Sequence, residues 1–132
     1  MTIAPVGDEI RLSDGTPVPL SAGYRAGDLL FASGQLPFDQ EGKLHSGDIA
    51  EQTALCLANM EKVLGHAGLT RTDVVKVTVW LTDTADFPGF NGAYAAFFGE
   101  HRPARSTVRS DLVLPGARVE IEAIAAIGAN AG

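Results

Sequence analysis

An α+β sandwich with two helices on one side of a sheet is the fold this sequence predicts, and three observations carry it. Residues 48–67 place apolar side chains at helical intervals, residues 74–81 alternate as a strand does, and residues 117–127 alternate again near the end of the chain. The resulting order, strands, helix, strand, helix, strands, suits a sheet covered on one face. At 132 residues the chain is long enough for one core and short for two, so residues 1–132 are read as a single domain.

The first element is EIRLSDGTPVPL, from Glu9 to Leu20, where Asp14-Gly15 between short extended runs signals a hairpin. Pro17 and Pro19 put its second arm at a sheet edge, because proline has no N–H for a ladder. Leu29 to Ser33 is a short apolar run without clean alternation, ending at Gly34, which fits a strand covered on both faces.

From Asp48 to Ala67 comes the clearest helix. Asp48 and Glu51 have capping-box spacing, and Ile49, Thr53, Cys56, Leu57, Met60, Val63 and Leu64 form one stripe that Gly68 ends. Cys56 lies in that stripe and reads as a small core residue, since no base stands at a recognisable spacing from it. The Val74 to Leu81 strand puts Val75, Val77, Val79 and Leu81 on one side and Lys76, Thr78 and Trp80 on the other. A second helix, about Asp86 to Phe98, carries Phe87, Phe90, Tyr94, Phe97 and Phe98 as its stripe. Asn91 beside that stripe needs a hydrogen-bond partner, either nearby backbone or a ligand.

The last strand, Ala117 to Ile127, has Val119, Ile121, Ala123 and Ala125 on one face and Glu120, Glu122, Ile124 and Ala126 on the other. Two helices cover only one face of a small sheet. The face carrying Trp80 and Ile124 is therefore expected to pack against another subunit.

Charge and composition exclude several classes. A net charge of −6 with scattered basic residues argues against nucleic-acid binding. No apolar stretch reaches the roughly 20 residues a membrane helix requires. Cys56 is the lone cysteine, and the start of the chain has no charged segment followed by an apolar one, so a soluble, cytoplasmic, reduced setting is expected. His45, His66 and His101 follow no ligand spacing and read as surface residues.

Arg105 and Glu120 are the charges that strand residues do not ordinarily explain. Arg105 and Thr107 share one strand face, and Glu120 and Glu122 share one on theirs. If those strands meet, a guanidinium fork able to hold a small carboxylate and an acid able to move a proton share one cleft. The alternative is a structural ion pair on a sheet face.

Taken together, GDLLFASGQLP at 27–37, DVVKVTVWLTDTADFPGFNGAYAAFF at 73–98, PARSTV at 103–108 and VEIEAIA at 119–125 strongly resemble the RidA/YjgF reactive-intermediate deaminase family. The resemblance spans about residues 27–127. It implies a chorismate-mutase-like fold with a mixed sheet of about six strands, a homotrimer, and clefts between subunits that hydrolyse enamines or imines such as 2-aminoacrylate and 2-iminopropanoate. It implies no metal or organic cofactor.

By the same resemblance, Arg105 in PARST matches the arginine that grips the substrate carboxylate, and Glu120 matches the acid that assists proton transfer or positions water. Ser33 and Gly34 in SGQ match the loop lining the pocket, and Asn91 matches an asparagine near the cleft. Thr107 stands where many members have cysteine, offering a hydroxyl and a backbone carbonyl but no thiol. Leu20 falls where many members have an aromatic residue, and Tyr24 is the candidate lid in its place. Two other classes remain open: a non-catalytic trimer that binds small carboxylates or shields unfolded chains, and an endoribonuclease, which the acidic composition disfavours.

Overall fold

A computed structural model describes residues 1–128. Its strands are β1 (Ile3–Val6), β2 (Gly23–Ala26), β3 (Leu29–Gln35), β4 (Val74–Leu81), β5 (Ala104–Arg109) and β6 (Val119–Ala126), with helices α1 (Ile49–His66) and α2 (Phe87–Phe98). They form one six-stranded sheet in the order β1-β2-β3-β6-β4-β5. Only β4 and β5 pair in parallel; the other neighbours are antiparallel. The connections β3-α1-β4 and β4-α2-β5 both step in the same direction across the sheet. Right-handed crossovers of that kind put both helices on one face, as the sequence predicts.

The core lies between those layers. Leu57, Met60 and Leu64 of α1 and Phe90 of α2 are fully buried with Val77, Val79 and Ile121 of the sheet. At the start of α1, Asp48 accepts a hydrogen bond from the Glu51 N–H at 2.9 Å, a cap worth about 1 kcal/mol. The reciprocal half of the capping box is missing, because the Glu51 carboxylate turns to His45 Nε2 at 2.8 Å. Gln52, fully buried, donates to the carbonyls of His45 and Gly116 and accepts from the Arg118 N–H, so α1 fixes the entry to β6. Among the described residues, no helix is long and apolar enough to cross a membrane.

Several expectations need correction. Residues 9–20 turn at Asp14-Gly15, but pair only through the isolated bridge Arg11↔Pro17 and add no arm to the sheet. The prolines withhold the N–H groups a longer ladder needs. The strands that do open the sheet are β1 and β2, four residues each, which the pattern reading missed. β3 is not covered on both faces: Leu30 and Ala32 are buried while Phe31 is 43% exposed. On β4, an irregularity between Val74 and Lys76 reverses the parity, so Val74 turns inward and Val75 is 45% exposed. Phe87 is also largely exposed, while Phe90, Tyr94 and Phe98 form the buried stripe of α2.

The face away from the helices is apolar at its middle. Phe31 pairs with Ile124 in register and Trp80 with Glu120, and Tyr24 lies opposite Phe31 on β2.

Candidate functional site

Arg105 sits on edge strand β5 and pairs in register with Val77, whose side chain is in the core beneath the helices. Its guanidinium therefore leaves the helix side of the sheet. It lies over the aromatic rings of α2, with Cζ 4.8 Å from the Tyr94 centroid and 5.3 Å from that of Phe90. The other partly buried ion-pairing arginines are taken: Arg71 by Glu61 at 2.7 Å and Arg118 by Asp86 at 2.7 Å. Arg105 makes no hydrogen bond or ion pair among the described residues, so its fork is available.

The surroundings of Arg105 form a cleft of about 380 Å³ between the end of α2 and the start of β5, lined by Asn91, Tyr94, His101, Arg102 and Arg105 among others. The Tyr94 hydroxyl and Thr107 Oγ1 are buried without a hydrogen-bond partner among the described residues. Burial pushes the Tyr94 phenol above its ordinary value and Arg105 partly offsets the shift, so the phenol stays neutral and able to donate. Asn91 lines this cleft, and its side chain makes no hydrogen bond to backbone among the described residues, which leaves the ligand alternative. His101 is not a free surface residue: its Nε2 bonds the Val74 carbonyl at 2.7 Å, which fixes the ring against β4.

Glu120 leaves the opposite face. It pairs with Trp80, and its carboxylate lies over the backbone of Gly34, where an added Cβ would collide with it. Burial, and then the like charge of Glu122, raise the Glu120 pKa from its ordinary value. A second hollow, about 340 Å³, lies beside it on this face and is lined by Tyr24, Phe31, Ser33 and Glu122. Ser33 Oγ donates to the Ser21 carbonyl at 2.6 Å, leaving its oxygen free to accept.

The sequence-derived residues thus fall into two half-sites. Arg105, Thr107 and Asn91 belong with α2; Glu120, Gly34, Ser33 and Tyr24 belong to the open face. β4 separates the two strands concerned, so the shared cleft expected for Arg105 and Glu120 is not formed within one chain. Tyr94, which the sequence places in the apolar stripe of α2, is a site residue that spacing does not mark; its signal is the hydroxyl, which the other aromatics of that stripe lack.

A family model described as endoribonuclease L-PSP matches residues 15–127. The 3-aminoacrylate deaminase RutC of Acinetobacter baylyi is 40% identical over 121 residues, covering 89% of this chain and 96% of that protein. The chain belongs to the RidA/YjgF family. The crystal structure of the Escherichia coli YjgF gene product superposes with a TM-score of 0.77 at 38% identity, covering 82% of this chain and 87% of that one. Escherichia coli TdcF with bound serine gives a TM-score of 0.82 at 34% identity, covering 93% and 98%. The RidA/YjgF sheet and helix arrangement accordingly holds across this chain. Among the described residues, no cluster of three or more His, Cys, Asp or Glu side chains could hold a metal ion.

Proposed function

We propose that the chain is a cofactor-independent deaminase that hydrolyses 2-imino acids of the 2-iminopropanoate type, formed from 2-aminoacrylate by tautomerisation, to 2-keto acids and ammonia. The observation that carries this reading is the unpaired Arg105 fork held against Tyr94. A substrate carboxylate docks on that fork bidentately, which fixes the adjacent C=N carbon for attack by water. Water adds to the carbon, the imine nitrogen takes a proton, and the tetrahedral intermediate collapses with loss of ammonia. Glu120, its pKa raised, both orients the water and returns the proton to the departing nitrogen. The buried Thr107 hydroxyl offers a further donor near the clamp.

Because the two half-sites leave opposite faces of one sheet, the working site requires a second copy, with Arg105 of one chain meeting Glu120 of its neighbour. A homotrimer closes such a head-to-tail contact into a ring and covers the apolar face around Trp80, Phe31 and Ile124. The serine bound by the relative TdcF supports a pocket sized for a small amino acid. An acidic chain, net charge −6, offers RNA no basic track, so the ribonuclease name of the family is not extended to it. A cytoplasmic setting, where amino-acid metabolism generates such imines, suits this chemistry.

The test is ammonia release from a panel of amino-acid oxidase products. Faster release with the protein present is expected. A rate equal to that of buffer, with small carboxylates still bound, would select the non-catalytic binding reading instead.

A further inference from the structure

The Arg105 cleft holds more positive charge than one carboxylate needs. Arg102 lines it together with Arg105, and His101, the residue before Arg102, lines it as well. Among the described residues no aspartate or glutamate lines this cleft, although the chain carries 16 acidic residues against 10 basic ones. Arg11, Arg71 and Arg118 are paired with carboxylates and Arg25 Nε donates to the Gly27 carbonyl, whereas Arg102, Arg105 and Arg109 have no hydrogen bond or ion pair among the described residues, and of these three Arg102 and Arg105 line the cleft. Pro103, the one residue between Arg102 and Ala104 of β5, restricts the backbone of Arg102, whose exposed side chain lines the cleft.

Two unpaired guanidinium groups facing one cavity repel each other, and an anion that spans both relieves the repulsion. A monocarboxylate engages one fork only. At about 380 Å³ the cleft accommodates a chain longer than that of a three-carbon imino acid. We infer that Arg102 is a specificity-determining residue that binds a second carboxylate, so that the site prefers imino acids with an acidic side chain, of the iminosuccinate and 2-iminoglutarate class. This rests on the deaminase reading for its chemistry, but the binding preference follows from the cleft itself. Arg105 clamps the carboxylate beside the C=N carbon, and Arg102 takes the distal one.

Two measurements separate this inference from the deaminase reading. In the first, calorimetry on the assembled protein compares 2-oxoglutarate with 2-oxobutanoate, the stable 2-keto acids that hydrolysis of an acidic and a neutral imino acid would release. The dicarboxylate is expected to bind at least tenfold more tightly, and Arg102→Gln is expected to erase the difference. In the second, kcat/KM is compared for imines made by oxidising glutamate and alanine, and the acidic-to-neutral ratio is expected to fall at least tenfold in Arg102→Gln. Equal affinities in the unmodified protein, or a preference that survives Arg102→Gln, overturns the role of Arg102. Absence of any imine hydrolysis, with the dicarboxylate preference intact and dependent on Arg102, overturns the deaminase reading alone.

Discussion

Arg105 and Glu120 leave opposite faces of the same sheet, Arg105 beside Val77 toward the helices and Glu120 beside Trp80 toward the open side. Strand β4 lies between the strands that carry them. The fork and the acid therefore cannot act on one substrate molecule within a single chain, and the chemistry depends on how copies meet.

The fork of Arg105 is the substrate anchor in this account. Arg105→Lys keeps the charge and loses the planar bidentate geometry, and Arg105→Ala loses both. Each variant is expected to fold, because no ion pair is broken, while kcat/KM falls by an amount equivalent to about 2–4 kcal/mol for the alanine. Near-normal turnover by Arg105→Ala, measured as ammonia release, would remove the anchor.

Glu120 is distinguished from Glu122 by its contact with Gly34, and burial raises its own pKa. Glu120→Gln is expected to slow 2-iminopropanoate hydrolysis more than Glu122→Gln. The shift also has a stability consequence. A carboxyl whose folded pKa exceeds its unfolded value stabilises the fold at pH below the unfolded value, and that stabilisation is lost as pH rises through the folded one. At pH above both values the ionised Glu120 is thus a burden, so there Glu120→Gln should melt at a higher temperature than the unmodified protein. The gap should close as the pH falls below the ordinary carboxylate range. A Tm difference that is the same at pH 7 and pH 3.5 would contradict the assigned shift.

Gly34 is needed for space rather than for backbone freedom, since its φ is not positive. The atom that a new Cβ meets is the end of the flexible Glu120 side chain, which can swing aside. Gly34→Ala is expected to stay folded and to lose activity to about the level of Glu120→Gln. Combining the two changes should then cost little more than either, because both act on one carboxylate. Additive losses in the double variant would mean that Gly34 acts on something else.

The two helices and the strands β4 and β6 were legible because each carries a long periodic stripe whose pattern is local. The short β1 and β2, IAPV and GYRA, carry no alternation to read; they exist because β3 offers β2 a partner, and β2 offers one to β1. The exposed Val75 depends on a local slip in the ladder that side-chain alternation does not reveal. Candidate site residues such as Arg105, Glu120 and Gly34 stood out by type and by family motif. The face of Glu120 was legible from the alternation of β6, but that of Arg105 was not, because it depends on the register that sets Arg105 beside the core residue Val77. Nothing in the sequence of β5 alone encodes that register.

Self-association can be tested through Trp80, half-buried on the open face next to Glu120. A charge at that position would be desolvated in a subunit contact, so Trp80→Asp is expected to yield monomers by light scattering and to abolish turnover. A Trp80→Asp protein that remains trimeric would place Trp80 outside the contact.

The most direct test of a site shared between copies is complementation. Arg105→Ala and Glu120→Gln chains, each expected to be nearly inactive alone, are co-expressed in equal amounts and purified as mixed assemblies. A site regains both groups whenever an intact Arg105 from one variant meets an intact Glu120 from the other, which random assembly gives for about one quarter of the sites. Recovery of about a quarter of the normal ammonia-release rate is the expected result. Mixed assemblies no more active than the separate variants would contradict a site built from two chains.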